Sequence, residues 1–173
     1  MPSSEIRIRE VEEADAEALI ALHMALDHET AFMLFEPGER SPDVEAERDR
    51  IRSVRSRSNQ TLLVADKGDR LVGYIAVLGG SSRRNRHVGH LVIGVLEAFS
   101  GQGIGGALLD AACHWATSTH LHRLELTVMA HNQRAIRLYE RKEFLREGIR
   151  SRSLRIGDAW IDEIFMARLL TPP

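Results

Sequence analysis

Apolar and polar positions along the chain follow two periods, and the switches between them outline the elements. Ile6 and Ile8 stand between Glu5, Arg7 and Arg9, a period-two pattern that predicts a short strand. Leu19, Leu22 and Leu26 then recur at helical spacing, with Asp15 placed to cap a helix running to His28. Residues 32–42 contain Glu36-Pro37-Gly38 and end on Ser41-Pro42, so they predict a loop leading into a helix over residues 43–57. That helix is heavily charged, and Val44, Ile51 and Val54 give it only a narrow apolar stripe, which places it on the surface.

Three strand-like runs follow. Residues 61–65 and 71–78 are joined through Lys67-Gly68-Asp69, a hairpin signal, and a Gly-, Ser- and Arg-rich turn over residues 79–86 leads to the run 87–95. From Leu91 to Val95 the last run is apolar at consecutive positions, the pattern of a strand buried on both faces with helices covering both sides.

Beyond Val95 a glycine-rich turn opens a helix over residues 104–119, followed by a strand at 123–129 and a helix at 133–142. Such a strand–helix–strand unit calls for a right-handed crossover and a parallel pair. Two strands close the chain, at residues 145–154 and 159–168, turning at Ile156-Gly157-Asp158. The predicted fold is α/β in the mixed α+β sense. It is a single mixed sheet of six to seven strands, antiparallel in the N-terminal half and parallel at the centre, flanked by about four helices. Without repeats or a linker, residues 1–173 are expected to form one domain.

Composition narrows the function classes. A net charge of −2 offers no global basic field for nucleic acid, and Arg83-Arg84-Asn85-Arg86 reads as a solvated turn. The single cysteine, Cys113, excludes an internal disulfide framework and suits a reducing compartment. No apolar run approaches the roughly 18 residues needed to cross a bilayer. Residues 1–5 lack the layout of a secretory signal, so a cytoplasmic protein with no membrane partner is expected. His114, His120 and His122 have no carboxylate or second cysteine beside them, and no metal site is expected.

The turn Ser100-Gly101-Gln102-Gly103-Ile104-Gly105-Gly106 carries the strongest chemistry. Glycines allow positive φ and close approach of a ligand, and the first N–H groups of a helix lack internal partners at the positive end of its dipole. Together they suit a pyrophosphate. The dinucleotide fingerprint expects this spacing after the first strand of a doubly wound sheet, yet about four strand-like runs precede it here. A ligand-free glycine-rich connection is the plain alternative. Asn132 sits where a cap belongs ahead of Gln133-Arg134-Ala135-Ile136-Arg137-Leu138-Tyr139, and two helical turns separate Asn132 from Tyr139 on nearly one face. Asn132 as a cap only, and Tyr139 as a core aromatic beside Ala135 and Leu138, remain open readings of the same residues.

In combination these two segments resemble the GNAT superfamily of acetyl-CoA-dependent N-acetyltransferases, along nearly the whole chain. The resemblance implies acetyl-CoA or coenzyme A as co-substrate, with main-chain groups from Ile93 to Val95 pairing with the pantetheine arm. It implies a pyrophosphate cradle at Ser100, Gly101, Gln102, Gly103, Ile104, Gly105 and Gly106, and a cofactor contact at Asn132. It further implies that Tyr139 protonates the departing thiolate. Two positions depart from the family pattern. Ser100 stands where arginine or glutamine is usual, removing a long donor, and Glu143 stands where glycine usually precedes Phe144, so the last helix is expected to end differently.

An acceptor amine must lose a proton before it attacks, which draws attention to His90, with His87 and Glu97 on or beside the same strand. Phe32, Phe35, Glu36 and Arg40 are the candidate acceptor wall, with Arg40 placed to pair with a carboxylate; a packed loop with a surface charge pair is the alternative. The implied reaction is acetyl transfer to a primary amine, such as a free amino acid, by direct attack in a ternary complex. Acetylation of protein N-termini, or a silent acyl-CoA sensor, are the other readings. A homodimer is the common arrangement among similar proteins.

Overall fold

The computed structural model describes residues 5–170. The signal-peptide expectation for the first residues therefore lies almost wholly outside the described part. The strands are β1 (Arg7–Glu10), β2 (Gln60–Asp66), β3 (Leu71–Gly79), β4 (Val88–Val95), β5 (Arg123–Met129), β6 (Leu145–Ile156) and β7 (Ala159–Leu169). The helices are α1 (Ala16–Glu29), α2 (Val44–Arg55), α3 (Ile104–Ser118) and α4 (Gln133–Arg141). All seven strands form one sheet in the order β1-β2-β3-β4-β5-β7-β6, antiparallel at every junction except the parallel pair β4–β5.

Helices cover the N-terminal half of this sheet on both faces. Tyr74 of β3 meets His23 of α1 with ring centroids 4.6 Å apart, while a Cβ on the adjacent Gly73 would touch Leu108 of α3 at 3.4 Å. Alternation along β3 thus sets α1 and α2 on one face and α3 on the other. Leu19 and Leu26 of α1, Ile75 of β3, and Leu108 and Leu109 of α3 are fully buried or nearly so. Each such side chain contributes roughly 1.5–3 kcal/mol relative to an exposed one. The charged helix α2 buries Ile51 and Val54 and little else, as its stripe predicts, and its Asp43 carboxylate caps it by accepting from Ala46 N–H at 3.0 Å.

Three local expectations are corrected. Asp15 precedes α1 without capping it. Its carboxylate instead accepts from Glu12 N–H at 2.7 Å and from both terminal nitrogens of Arg9, an ion pair that outcompetes the helix end. β4 is not buried on both faces: Leu91 and Gly94 are buried, but Val92, Ile93 and Val95 are only partly covered, because the strand borders a cleft. Finally, α4 ends as a glycine-terminated helix would. Glu143 adopts φ +65°, Glu143 N–H donates to Glu140 at 3.0 Å, and Phe144 N–H donates to Tyr139 at 3.0 Å, the paired bonds of a Schellman end.

Candidate active site

The two central strands separate. β4 and β5 pair only at Val88–Arg123, Gly89–Leu124 and His90–Glu125, after which Leu91–Val95 has no partner on β5. The direction of the unpaired groups follows from alternation. Val88 C=O accepts from Gly80 and Leu96 N–H donates to Val72, so even-numbered residues of β4 turn their main chain toward β3. His87 C=O, by contrast, accepts from His122 at the start of β5. The N–H and C=O groups of Ile93 and Val95 therefore face the gap. β5 itself stays fully paired to β7 on its other side.

At the end of β4 the chain makes a short 3₁₀ turn, Glu97–Phe99, and enters the glycine segment. Gly101 and Gly103 have φ +78° and +84°, left-handed values that a side chain would strain, and the turn they make delivers the chain into α3. Ala107 N–H makes the first helical bond, to Gly103 C=O at 2.9 Å. No main-chain N–H from Gly101 to Gly106 donates to another described residue, and the first turn of α3 carries no acidic side chain. Six amides without protein partners at a helix start are free to bind an anion. The Gln102 side chain turns away and donates to Ala98 C=O at 3.2 Å, so it contributes main chain only. Ser100 offers a short hydroxyl, but a guanidinium stands nearby from another element: a Cβ on Gly101 would lie 3.8 Å from Nη2 of Arg134. Arg134 makes no ion pair or hydrogen bond to a described residue and lines the same cleft.

α4 supplies the third part. Asn132 caps it, Oδ1 accepting from Ala135 N–H at 3.2 Å, and Asn132 also lines the cleft. Tyr139 packs against Phe144 and is 7% exposed, yet its hydroxyl bonds to no described residue and it borders the cleft. Cap and ligand contact, core aromatic and acid, are thus compatible at both positions. Burial holds the Tyr139 phenol well above its usual pKa, and neighbouring Tyr74 adds to the effect.

The cleft measures about 1170 Å³ and passes from the glycine turn through the β4–β5 gap to the face carrying α1 and α2. There it is bounded by His23, Phe32, Phe35, Arg40, Tyr74 and His90. Phe32 stacks on His131 at 5.1 Å, so the loop after α1 reaches across to the β5–α4 turn. Arg40 lies 4.2 Å from the Phe35 ring centre and binds the buried carboxylate of Asp27, which occupies the guanidinium. Glu36 is exposed in the loop and does not border the cleft. His23 was not singled out by the sequence. Burial and the positive charges of Arg40 and Arg50 push its pKa down to about 3, leaving a neutral imidazole edge-on to Tyr74. Among the described residues no group of three or more His, Cys, Asp or Glu could hold a metal ion.

A split sheet, a cleft through the split and a row of unpartnered amides at its mouth together suit a long ligand that carries an anionic group. The profile of the Acetyltransferase (GNAT) family matches residues 22–144. A GNAT-family acetyltransferase structure from Streptococcus pneumoniae is 30% identical, with 96% of this chain and 100% of that one covered and a TM-score of 0.93. A ribosomal-protein-alanine N-acetyltransferase from Brucella melitensis is 26% identical over 95% of this chain and 99% of that one, with a TM-score of 0.83. The yncA protein from Salmonella typhimurium, solved with acetyl-CoA, shares the fold at 20% identity over 98% and 96% of the two chains, TM-score 0.86. Comparison with curated proteins found no match. The chain belongs to the GNAT acetyltransferase family and is an acetyl-CoA-dependent acetyltransferase.

Proposed function

We propose that the whole chain acts as one domain that moves an acetyl group from acetyl-CoA to a small primary amine by direct attack in a ternary complex. The observation that carries this reading is the joining of the unpartnered amides of Gly101–Gly106 to the outward-facing main chain of Ile93 and Val95 within one cleft. Acetyl-CoA supplies an activated thioester; the protein's part is to hold it and to handle protons.

Gly101–Gly106 and the guanidinium of Arg134 would neutralise the pyrophosphate, the cation from α4 standing in for the long donor absent at Ser100. Ile93 and Val95 would align the pantetheine arm as a surrogate strand neighbour, and Asn132 would contact it from the far bank. A main-chain N–H of this β4 segment would stabilise negative charge developing on the carbonyl oxygen. Tyr139, kept protonated by its burial, would donate to the leaving sulfur. Orientation of two bound reactants supplies much of the remaining acceleration. On the acceptor side, Phe32 meets His131 across the cleft, and Phe35 and His90 line it, a partly apolar recess that supports a small molecule as acceptor.

Thiol release measured with acetyl-CoA and a panel of amino acids, polyamines and short peptides tests the proposal. Turnover with a small amine is the expected result. Tight acetyl-CoA binding without thiol release from any acceptor would make the chain a sensor, and turnover confined to peptides would move the acceptor to protein N-termini.

A further inference from the structure

On the acceptor face, residues of four strands stand level with one another. Tyr74 pairs with Gly94, and Met129 pairs with Glu163. Extending the parallel register from Val88–Arg123 by six residues along both strands sets Gly94 beside Met129 across the gap. Paired residues share a face, so Tyr74 and Glu163 stand on the side of the sheet away from α3, each one strand back from the open gap on opposite sides of it. Ile93, with its main chain turned into the gap, is one residue from this row. Gly94 adds no side chain to it, and a Cβ there would come within 2.7 Å of Leu26.

Charge sorting then isolates one group. Four carboxylates border the cleft: Glu29, Glu47, Glu97 and Glu163. Glu29 accepts from Glu97 N–H at 2.7 Å, Glu47 is gripped by Arg50 through three hydrogen bonds, and Glu97 is exposed at the end of β4. Glu163 is 8% exposed, yet it accepts no hydrogen bond from any described residue. Its one ionic neighbour is Arg150 on β6, at 3.3 Å, whose own side chain is 58% exposed. The Glu163 oxygens are not among the fully buried atoms without a partner, so they open on the cleft, where a carboxylate held by one largely exposed arginine has room for a second cation. Of the other titratable groups on this face, Tyr74 on β3 stands level with Glu163 with β4 and β5 between them, whereas His90 on β4, level with Glu125 and Ala167, lies four residues further along the sheet. Neutral His23 stands behind Tyr74 and, with its proton affinity so far depressed, is a poor base.

We infer that Glu163 receives the ammonium group of the acceptor at the β4–β5 gap and takes its proton, so that the acceptor is an amine that arrives as a cation. The inference rests on the acetyltransferase reading above. One proton passes from the ammonium to Glu163, directly or through water, and leaves to solvent. The neutral nitrogen forms the C–N bond as the C–S bond breaks. Tyr139 gives its proton to sulfur and regains the second proton released by the nitrogen. The sum is one amide, one thiol and one proton.

The experiment compares the wild type with Glu163→Gln and Arg150→Met, using acetyl-CoA and the best amine from the thiol-release panel across pH 6 to about 10. Glu163→Gln is expected to lower kcat/KM roughly 100-fold at neutral pH, with coenzyme A affinity by calorimetry unchanged. The deficit should shrink as pH nears the amine's own pKa, where the acceptor arrives neutral. Arg150→Met should keep at least half of wild-type kcat/KM. A Glu163→Gln enzyme within twofold of wild type at neutral pH, a deficit constant with pH, or an equal loss in Arg150→Met would each overturn the assignment while the acetyltransferase reading stood. Absence of turnover in the wild type would instead remove the reading beneath it.

Discussion

At Tyr139 the sequence leaves two roles open, and the structure shows why they do not compete. The ring fills the core against Phe144 while the hydroxyl stays unbonded at the cleft. Tyr139→Phe keeps the ring and removes only the donor. It should reduce kcat by roughly 10- to 1000-fold with coenzyme A affinity unchanged, checked by steady-state kinetics beside calorimetry. Because the phenol's pKa is raised, its ionisation should add no loss of activity at neutral or mildly basic pH in the wild type. Arg134 was not legible as a site residue, since an arginine in the first turn of a polar helix reads as solvated surface. Only the fold brings it over Gly101. Arg134→Ala should raise KM for acetyl-CoA about 5- to 20-fold with kcat little changed, and the effect should fade at high salt. An unchanged KM would return the guanidinium to the surface. Glu163 was hidden for a related reason: its burial depends on β7 lying beside β5, a pairing between strands separated by a whole helix and hairpin.

Element by element, periodicity located every strand and helix within a few residues, because most of them bury one clear face. It misjudged β4 for a physical reason: five consecutive apolar residues are compatible with burial under helices and equally with the wall of an apolar cleft. The end of α4, expected to differ because Glu143 stands where the resembled family has glycine, keeps the glycine-type geometry. Glu143 holds a left-handed φ of +65° although the glycine is missing, and two neighbours secure it: Phe144 packs on Tyr139, and the Glu143 carboxylate meets Arg168 at 2.6 Å. The strain costs about 1 kcal/mol. The ion pair returns little, since the Glu143 side chain is 75% exposed. Glu143→Gly should therefore stabilise the protein by about 0.5–1 kcal/mol, a rise in Tm of roughly 1–4 °C in a chain of this size. A fall in Tm on thermal denaturation would mean that the Arg168 contact outweighs the backbone strain.

For the molecule as a whole, the sheet behaves as two blocks, β1–β4 and β5–β7–β6, joined by a ladder of only three residue pairs. Helix α3 leaves one block and the chain enters the other, so the glycine turn sits at the junction, and the cleft exists because the blocks diverge there. A ligand whose arm pairs with Ile93 and Val95 while its diphosphate draws on the amides of Gly101–Gly106 would bind the assembled state only, since the unfolded chain presents neither set together. Saturation at about 100 times Kd then adds roughly 2.7 kcal/mol to stability, which in a protein of this size raises Tm by roughly 5–10 °C. The gain should be concentrated at the junction. Amide hydrogen exchange of Ile93, Val95 and residues 101–106 should slow with coenzyme A, whereas buried amides within β2 and β3 should change by no more than the global stabilisation requires. A uniform slowing through the molecule, with no excess at the gap or the turn, would mean that the ligand stabilises the fold without bridging its two halves.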